Sequence, residues 1–133
     1  MPESNDMSSQ KTNSNVLICD DDEILLSFYK RVIKNAGYDV LTAGNGDEAI
    51  EILNEMPVAL AIIDLLMPIR SGWEVIEYMR SKEALKNIPV IAVTGLAPSP
   101  GDLEKVNSQC SSVIYKGGDF DIEAFTELLK KLI

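Results

Sequence analysis

Five short apolar runs, each followed by a stretch with apolar residues at helical spacing, most constrain what this chain can fold into. Residues 16–19 lead into Ile24, Leu25, Phe28, Val32 and Ile33 on one helical face, and Val40-Leu41 leads into Ala49, Ile50 and Leu53. Residues 58–63 lead into Val75, Ile76 and Met79, and residues 90–93 into Leu103, Val106 and Cys110. Residues 113–115 precede the last helical face, Phe125, Leu128, Leu129 and Leu132. Parallel strands need crossover connections long enough for a helix, so five such units in succession predict a parallel sheet covered by helices on both faces. The continuous apolar character of the third and fourth runs suits central strands. The expected fold is therefore doubly wound α/β, with a five-stranded parallel sheet in the order 2-1-3-4-5.

Turn and cap signals fall between the runs. Ser71 with Glu74 and Ser99 with Asp102 each read as a capping box, the second with Pro100 at the first helical position. Asn45-Gly46 reads as a turn. Residues 1–15 are rich in Ser and Asn and lack apolar periodicity, so they read as a disordered tail ahead of one domain over residues 16–133. A chain of 133 residues has room for one ordinary core, and 46% hydrophobic with 25% charged residues excludes wholesale disorder, collagen and coiled coil.

Charge and residue usage exclude further classes. A formal charge of −9 argues against a nucleic-acid partner, since such binding depends on neutralising phosphates with cations. No apolar run approaches the roughly 18 residues of a membrane helix, and no signal-peptide core is visible, so a cytoplasmic protein is expected. Cys19 and Cys110 then read as reduced thiols. Histidine is absent, which removes histidine-based catalysis, most zinc sites and a phosphohistidine on this chain itself.

In open α/β sheets the functional site lies beyond the carboxyl ends of the strands. The first run ends in Asp20-Asp21-Asp22-Glu23, the third in Asp64, the fourth in Thr94 and the fifth in Lys116. With strands 1 and 3 adjacent, Asp20, Asp21 and Asp64 converge, whereas Asp22 and Glu23 read as first-turn residues favoured by the helix dipole. Two carboxylates about 5 Å apart repel by roughly 3 kcal/mol at an effective dielectric near 20, so three of them call for a cation or a proton. Mg²⁺ meets that need, because it takes one or two carboxylates and shares its other positions with water and phosphate oxygens. Thr94 adds a hydroxyl and Lys116 an ammonium, the groups that hold the oxygens of a phosphoryl group on a carboxylate. The constellation reads as an aspartyl-phosphate site.

On these residues the chain from Val16 onward resembles the receiver domain of two-component response regulators, the CheY-like form of this fold. The match is carried by Asp20-Asp21, by Asp64 with Met67-Pro68 and Gly72 behind it, by Thr94 and by Lys116. The resemblance implies that Asp64 accepts phosphate from a phosphohistidine on a sensor histidine kinase or histidine phosphotransfer protein. It implies that Asp20, Asp21, Asp64 and the Leu66 carbonyl hold Mg²⁺, and that Thr94 and Lys116 bind the phosphoryl oxygens. It also implies a stand-alone phosphoacceptor, not an enzyme turning over a separate substrate, that acts through a downstream protein target. The family's two gatekeeping positions, two residues beyond the Asp and two beyond the Thr, are here Leu66 and Leu96, which predicts a long-lived phosphoryl group.

Three features depart from the family pattern. Gly117-Gly118 stands where Pro usually follows the lysine; Val113 replaces the switch aromatic, with Tyr115 on the same strand face; and residues 96–101 contain two prolines. These keep open a degenerate receiver that acts only as a binding module. A haloacid-dehalogenase-type phosphatase using Asp20 and Asp22 is a further alternative, while an FMN carrier is disfavoured by four acidic residues in the first loop. Trp73, just after Gly72, is placed to report site occupancy by its fluorescence.

Overall fold

The computed structural model describes residues 14–95, 99–117 and 120–133. Five strands, β1 (Asn15–Cys19), β2 (Asp39–Ala43), β3 (Leu60–Asp64), β4 (Val90–Thr94) and β5 (Ser112–Tyr115), alternate with five helices. These are α1 (Glu23–Asn35), α2 (Gly46–Glu55), α3 (Gly72–Ser81), α4 (Pro100–Gln109) and α5 (Ile122–Leu132). All strand pairs are parallel, and the order is β2-β1-β3-β4-β5, as the alternation predicts. β1 opens one residue before the expected domain start, with Asn15 paired to Asp39.

Strand alternation divides the core in two. Val16 and Ile18 of β1, Leu60 and Ile62 of β3, and Ile91 and Val93 of β4 pack under α1 and α5 with Ile33, Phe125 and Leu129. Leu17, Cys19, Ala61, Ile63, Val90 and Ala92 face the other way and pack with Ala49, Leu53, Val75, Ile76, Met79 and Val106 of α2, α3 and α4. β3 and β4 are buried along their whole length, which accounts for their unbroken apolar runs. Each fully buried Leu, Ile or Val contributes about 1.5–3 kcal/mol relative to exposure.

Side-chain caps start the helices. Ser71 Oγ accepts from the Glu74 N–H at 3.3 Å and Ser99 Oγ from the Asp102 N–H at 3.2 Å, as expected of those motifs. Asn45-Gly46 differs from expectation: it is not a free turn but the start of α2. Asn45 Oδ1 accepts from the Glu48 N–H at 2.9 Å, and Glu48 Oε1 reaches back to the Gly44 N–H at 2.8 Å. Gly46 is needed there because a Cβ would lie 2.7 Å from the Arg70 carbonyl oxygen.

Candidate functional site

The register sets the site. β1 and β3 are neighbours, Asp64 pairs with Val93, and Thr94 pairs with Tyr115, so the residues ending these strands meet along one edge of the sheet. Asp20, Asp64 and Thr94 are the buried polar residues among those described, 2%, 2% and 4% exposed. Carboxylate oxygens of Asp20, Asp21 and Asp64 lie within 4.8 Å of one another, with Asp21 on the exposed side. Lys116 Nζ bridges the two buried acids, at 2.9 Å from Asp64 Oδ2 and 3.3 Å from Asp20 Oδ2. The other oxygen of each acid is held by backbone: Asp64 Oδ1 accepts from the Leu66 N–H at 3.1 Å, and Asp20 Oδ1 from the Asp22 N–H at 2.9 Å. One oxygen of each buried acid is thus fixed by the chain while the other faces a cation. The Lys116 N–H also donates to the Thr94 carbonyl at 2.9 Å, tying the lysine to β4.

Asp22 does not join this group. Its side chain caps α1, accepting from the Ile24 and Leu25 N–H groups. The acid pair that a phosphatase of the haloacid-dehalogenase type would need at Asp20 and Asp22 is therefore not assembled, because Asp22 is committed to the helix.

The loop after β3 is fitted closely around Asp64. A Cβ on Gly72 would lie 2.1 Å from the Asp64 carbonyl oxygen, so only glycine lets α3 approach the end of β3. The Gly72 N–H closes the loop onto the Leu65 carbonyl at 3.1 Å. Between them Ile69 has φ +72°, and the Arg70 N–H donates to the Pro68 carbonyl at 2.8 Å, an i to i+2 bond that makes a γ-turn. A β-branched residue at positive φ is a genuine outlier, held here by its surroundings. Arg70 anchors the loop through an ion pair with Asp47 at the start of α2, and Met67 Sδ lies 3.4 Å from Cys19 Sγ. Neither Ile69 nor Arg70 is singled out by sequence pattern.

The electrostatics follow from burial and from the lysine. Burial raises the Asp20 carboxyl above its ordinary value; the Asp22 N–H opposes this, the Asp64 charge adds to it, and Lys116 lowers it again. Burial works against the Lys116 charge, but the hydrogen bond to Asp64 and the charges of Asp20 and Asp64 raise its pKa above the usual lysine value. Cys19, pushed up to about 12 by burial and then by Asp20, is an inert thiol. Cys19 and Cys110 are both free, as expected. Two buried carboxylates and one exposed one, all hard oxygen donors with an open side, suit a divalent cation of the Mg²⁺ kind.

At the departures from the family pattern, Gly117 has φ +87°, a backbone conformation that proline, locked near −65°, cannot adopt. Val113 packs into the core on the α4 side, and Tyr115, on the same strand face, is 51% exposed. Leu66 is 55% exposed beside Asp64, whereas Leu96 and Gly118 lie outside the described residues.

A doubly wound parallel sheet with three converging carboxylates and a lysine at its switch point defines a class of α/β domains with an acidic site at the carboxyl ends of the strands. The family model for the response regulator receiver domain matches residues 16–130, and the chain belongs to that family, a component of two-component signalling. The polar-differentiation response regulator DivK of Brucella anthropi is 31% identical over 119 residues, covering 89% of this chain and 94% of that protein. Among solved structures, the response regulator TrrA of Thermotoga maritima, determined in complex with Mg²⁺ and BeF, is 28% identical with a TM-score of 0.77, covering 90% of this chain and 98% of that one. The chemotaxis protein CheY4 of Vibrio cholerae, at 24% identity and a TM-score of 0.79 over 90% of this chain and 98% of that one, shares the fold. No helix among the described residues is long and apolar enough to cross a membrane.

Proposed function

We propose that this chain is a cytoplasmic phosphoacceptor that takes a phosphoryl group onto Asp64 from a phosphohistidine on a sensor histidine kinase or a histidine phosphotransfer protein. The observation that carries the reading is the single ammonium of Lys116 shared by Asp64 and Asp20, both buried, beside a third carboxylate open to solvent. In the transfer a carboxylate oxygen of Asp64 attacks phosphorus, the P–N bond to the imidazole breaks as the O–P bond forms, and the departing imidazole nitrogen takes a proton. The Leu66 N–H holds Asp64 Oδ1, which orients the nucleophile. Lys116, already on Asp64 Oδ2, is placed to follow the charge onto a phosphoryl oxygen, and the Thr94 hydroxyl serves another. Asp20, Asp21, Asp64 and the Leu66 carbonyl would hold a divalent cation such as Mg²⁺, which when bound neutralises charge on the phosphoryl group. The Mg²⁺ and BeF bound by TrrA, 28% identical, support that assignment.

The chain forms and loses one acyl phosphate at its own side chain and turns over no separate substrate. Its output passes to a downstream protein, since a formal charge of −9 disfavours nucleic acid. The test is Mg²⁺-dependent labelling of the purified chain by acetyl phosphate, read as the mass increment of one phosphoryl group. No labelling under conditions in which Mg²⁺ binds would leave a receiver used only as a binding module.

A further inference from the structure

Helix α4 packs on β5 and the core through Val106 and is tied to α3 by side chains. It buries one residue, Val106, and Leu103 stays 42% exposed. Its last turn has no basic residue of its own to complement the helix dipole, and its terminal carbonyl is served in trans. Arg80 of α3 donates to the Gln109 carbonyl from Nε at 3.1 Å and from Nη2 at 2.7 Å, while Nη1 reaches the Lys86 and Ile88 carbonyls, both at 2.9 Å. One turn back, Lys105 Nζ stands 4.8 Å above the Trp73 ring and 3.6 Å from Glu77 Oε2. Trp73, Glu77 and Arg80 are spaced i, i+4 and i+7, so one face of α3 makes all these contacts. The other end of α3 is Gly72, seated on the Asp64 carbonyl so closely that a Cβ would lie 2.1 Å away. A helix of ten residues, about 15 Å long, therefore runs from the backbone of Asp64 to the side-chain ties on α4 at Lys105 and Gln109.

We propose that occupancy of the Asp64 site is transmitted to α4 through α3, by the Trp73, Glu77 and Arg80 face acting on Lys105 and Gln109. The inference rests on the phosphoacceptor reading and adds a route for its output. The alternative route runs from Thr94 to an aromatic on β5, and here that strand offers Val113 and a half-exposed Tyr115. Gln109 Oε1 is buried with no hydrogen-bond donor among the described residues, so a shift of α4 that exposes it removes an unfavourable group.

The test compares wild type, Lys105→Met and Tyr115→Ala, all full-length, with Mg²⁺ and beryllofluoride as the probe. Beryllofluoride binding is measured directly by calorimetry, the response of α4 by hydrogen exchange of amides 103–110, and the α3 end by the emission of Trp73. Lys105→Met keeps the apolar stem of a part-exposed side chain and so leaves the fold in place. The expected result is beryllofluoride affinity within about twofold of wild type in both variants. The exchange response of α4 should fall at least about threefold in Lys105→Met and be retained in Tyr115→Ala. An unchanged α4 response in Lys105→Met, or its loss in Tyr115→Ala alone, overturns the route while leaving the phosphoacceptor reading intact. Failure of wild type to bind beryllofluoride overturns both.

Discussion

Replacing Lys116 with Met tests the charge balance on which the site depends. In the folded protein the ammonium lies 2.9 Å from Asp64 Oδ2 and 3.3 Å from Asp20 Oδ2, with its side chain 28% exposed. Removing it leaves two buried carboxylates with oxygens within 4.8 Å of each other, a repulsion of about 3 kcal/mol at an effective dielectric near 20. Loss of one partner from a buried ion pair typically costs about 3–5 kcal/mol, and the partial exposure of Lys116 puts the expectation at the lower end, about 3 kcal/mol. Urea unfolding in EDTA, followed by Trp73 emission, reads this directly. Mg²⁺ should then stabilise the variant more than wild type, because the cation no longer competes with an ammonium; at a hundred times its Kd a ligand of the folded state adds about 2.7 kcal/mol. The pH dependence has a definite sign. The pKa of Lys116 is raised in the folded state, so its stabilising contribution is fully present below the ordinary lysine value of 10.5 and is lost as pH rises through the folded value above it. The Asp20 carboxyl is also raised, from 3.8, so protonation favours the folded state, and the deficit of Lys116→Met should shrink as pH falls through the folded value of Asp20. A variant as stable as wild type in EDTA at neutral pH, or one that gains no more from Mg²⁺, would refute the reasoning.

Three other outcomes are expected. Gly72→Ala forces its Cβ against the Asp64 carbonyl and should destabilise by about 3 kcal/mol, seen as a lower urea midpoint at unchanged slope; a loss under about 1 kcal/mol would show that α3 is not seated as described. Ile69→Asn places a residue that tolerates positive φ in the γ-turn, and since Ile69 is 80% exposed little burial is lost, so thermal unfolding should show a gain of about 1 kcal/mol. Leu66→Asn with Leu96→Glu supplies groups that orient water and should speed loss of the phosphoryl group about tenfold, or about 1.4 kcal/mol of barrier; equal decay rates would exclude apolar shielding as the cause of a long lifetime.

The sheet order and the converging acids were legible because, in a parallel sheet, the end of an apolar run is also the site edge, so Asp64, Thr94 and Lys116 are marked by position alone. Three adjacent aspartates are another matter. Strand position already sets Asp20 and Asp21 apart from Asp22, but only the folded chain shows Asp20 buried against Lys116, Asp21 exposed beside it and Asp22 as the N-cap of α1, one residue before its first turn. Asn45-Gly46 carries the same dipeptide as a hairpin turn, and what decides for a helix start is Glu48, whose carboxylate closes the turn from three residues on. The positive φ of Ile69 runs against local propensity and is imposed by a loop held at Gly72, Arg70 and Met67, so no local signal marks it. Arg80 stands in the last turn of α3, and no local pattern marks the Gln109 carbonyl, 29 residues away, as its partner.

The central claim is that Asp64 is the residue phosphorylated. Incubating wild type and Asp64→Asn with acetyl phosphate and Mg²⁺, then locating the label by reductive trapping and peptide mass spectrometry, tests it most directly. The account predicts one phosphoryl group on the peptide containing Asp64 in wild type, none without Mg²⁺, and none in a folded Asp64→Asn variant. Labelling of Asp20 or Asp21, or wild-type labelling of Asp64→Asn, would contradict it.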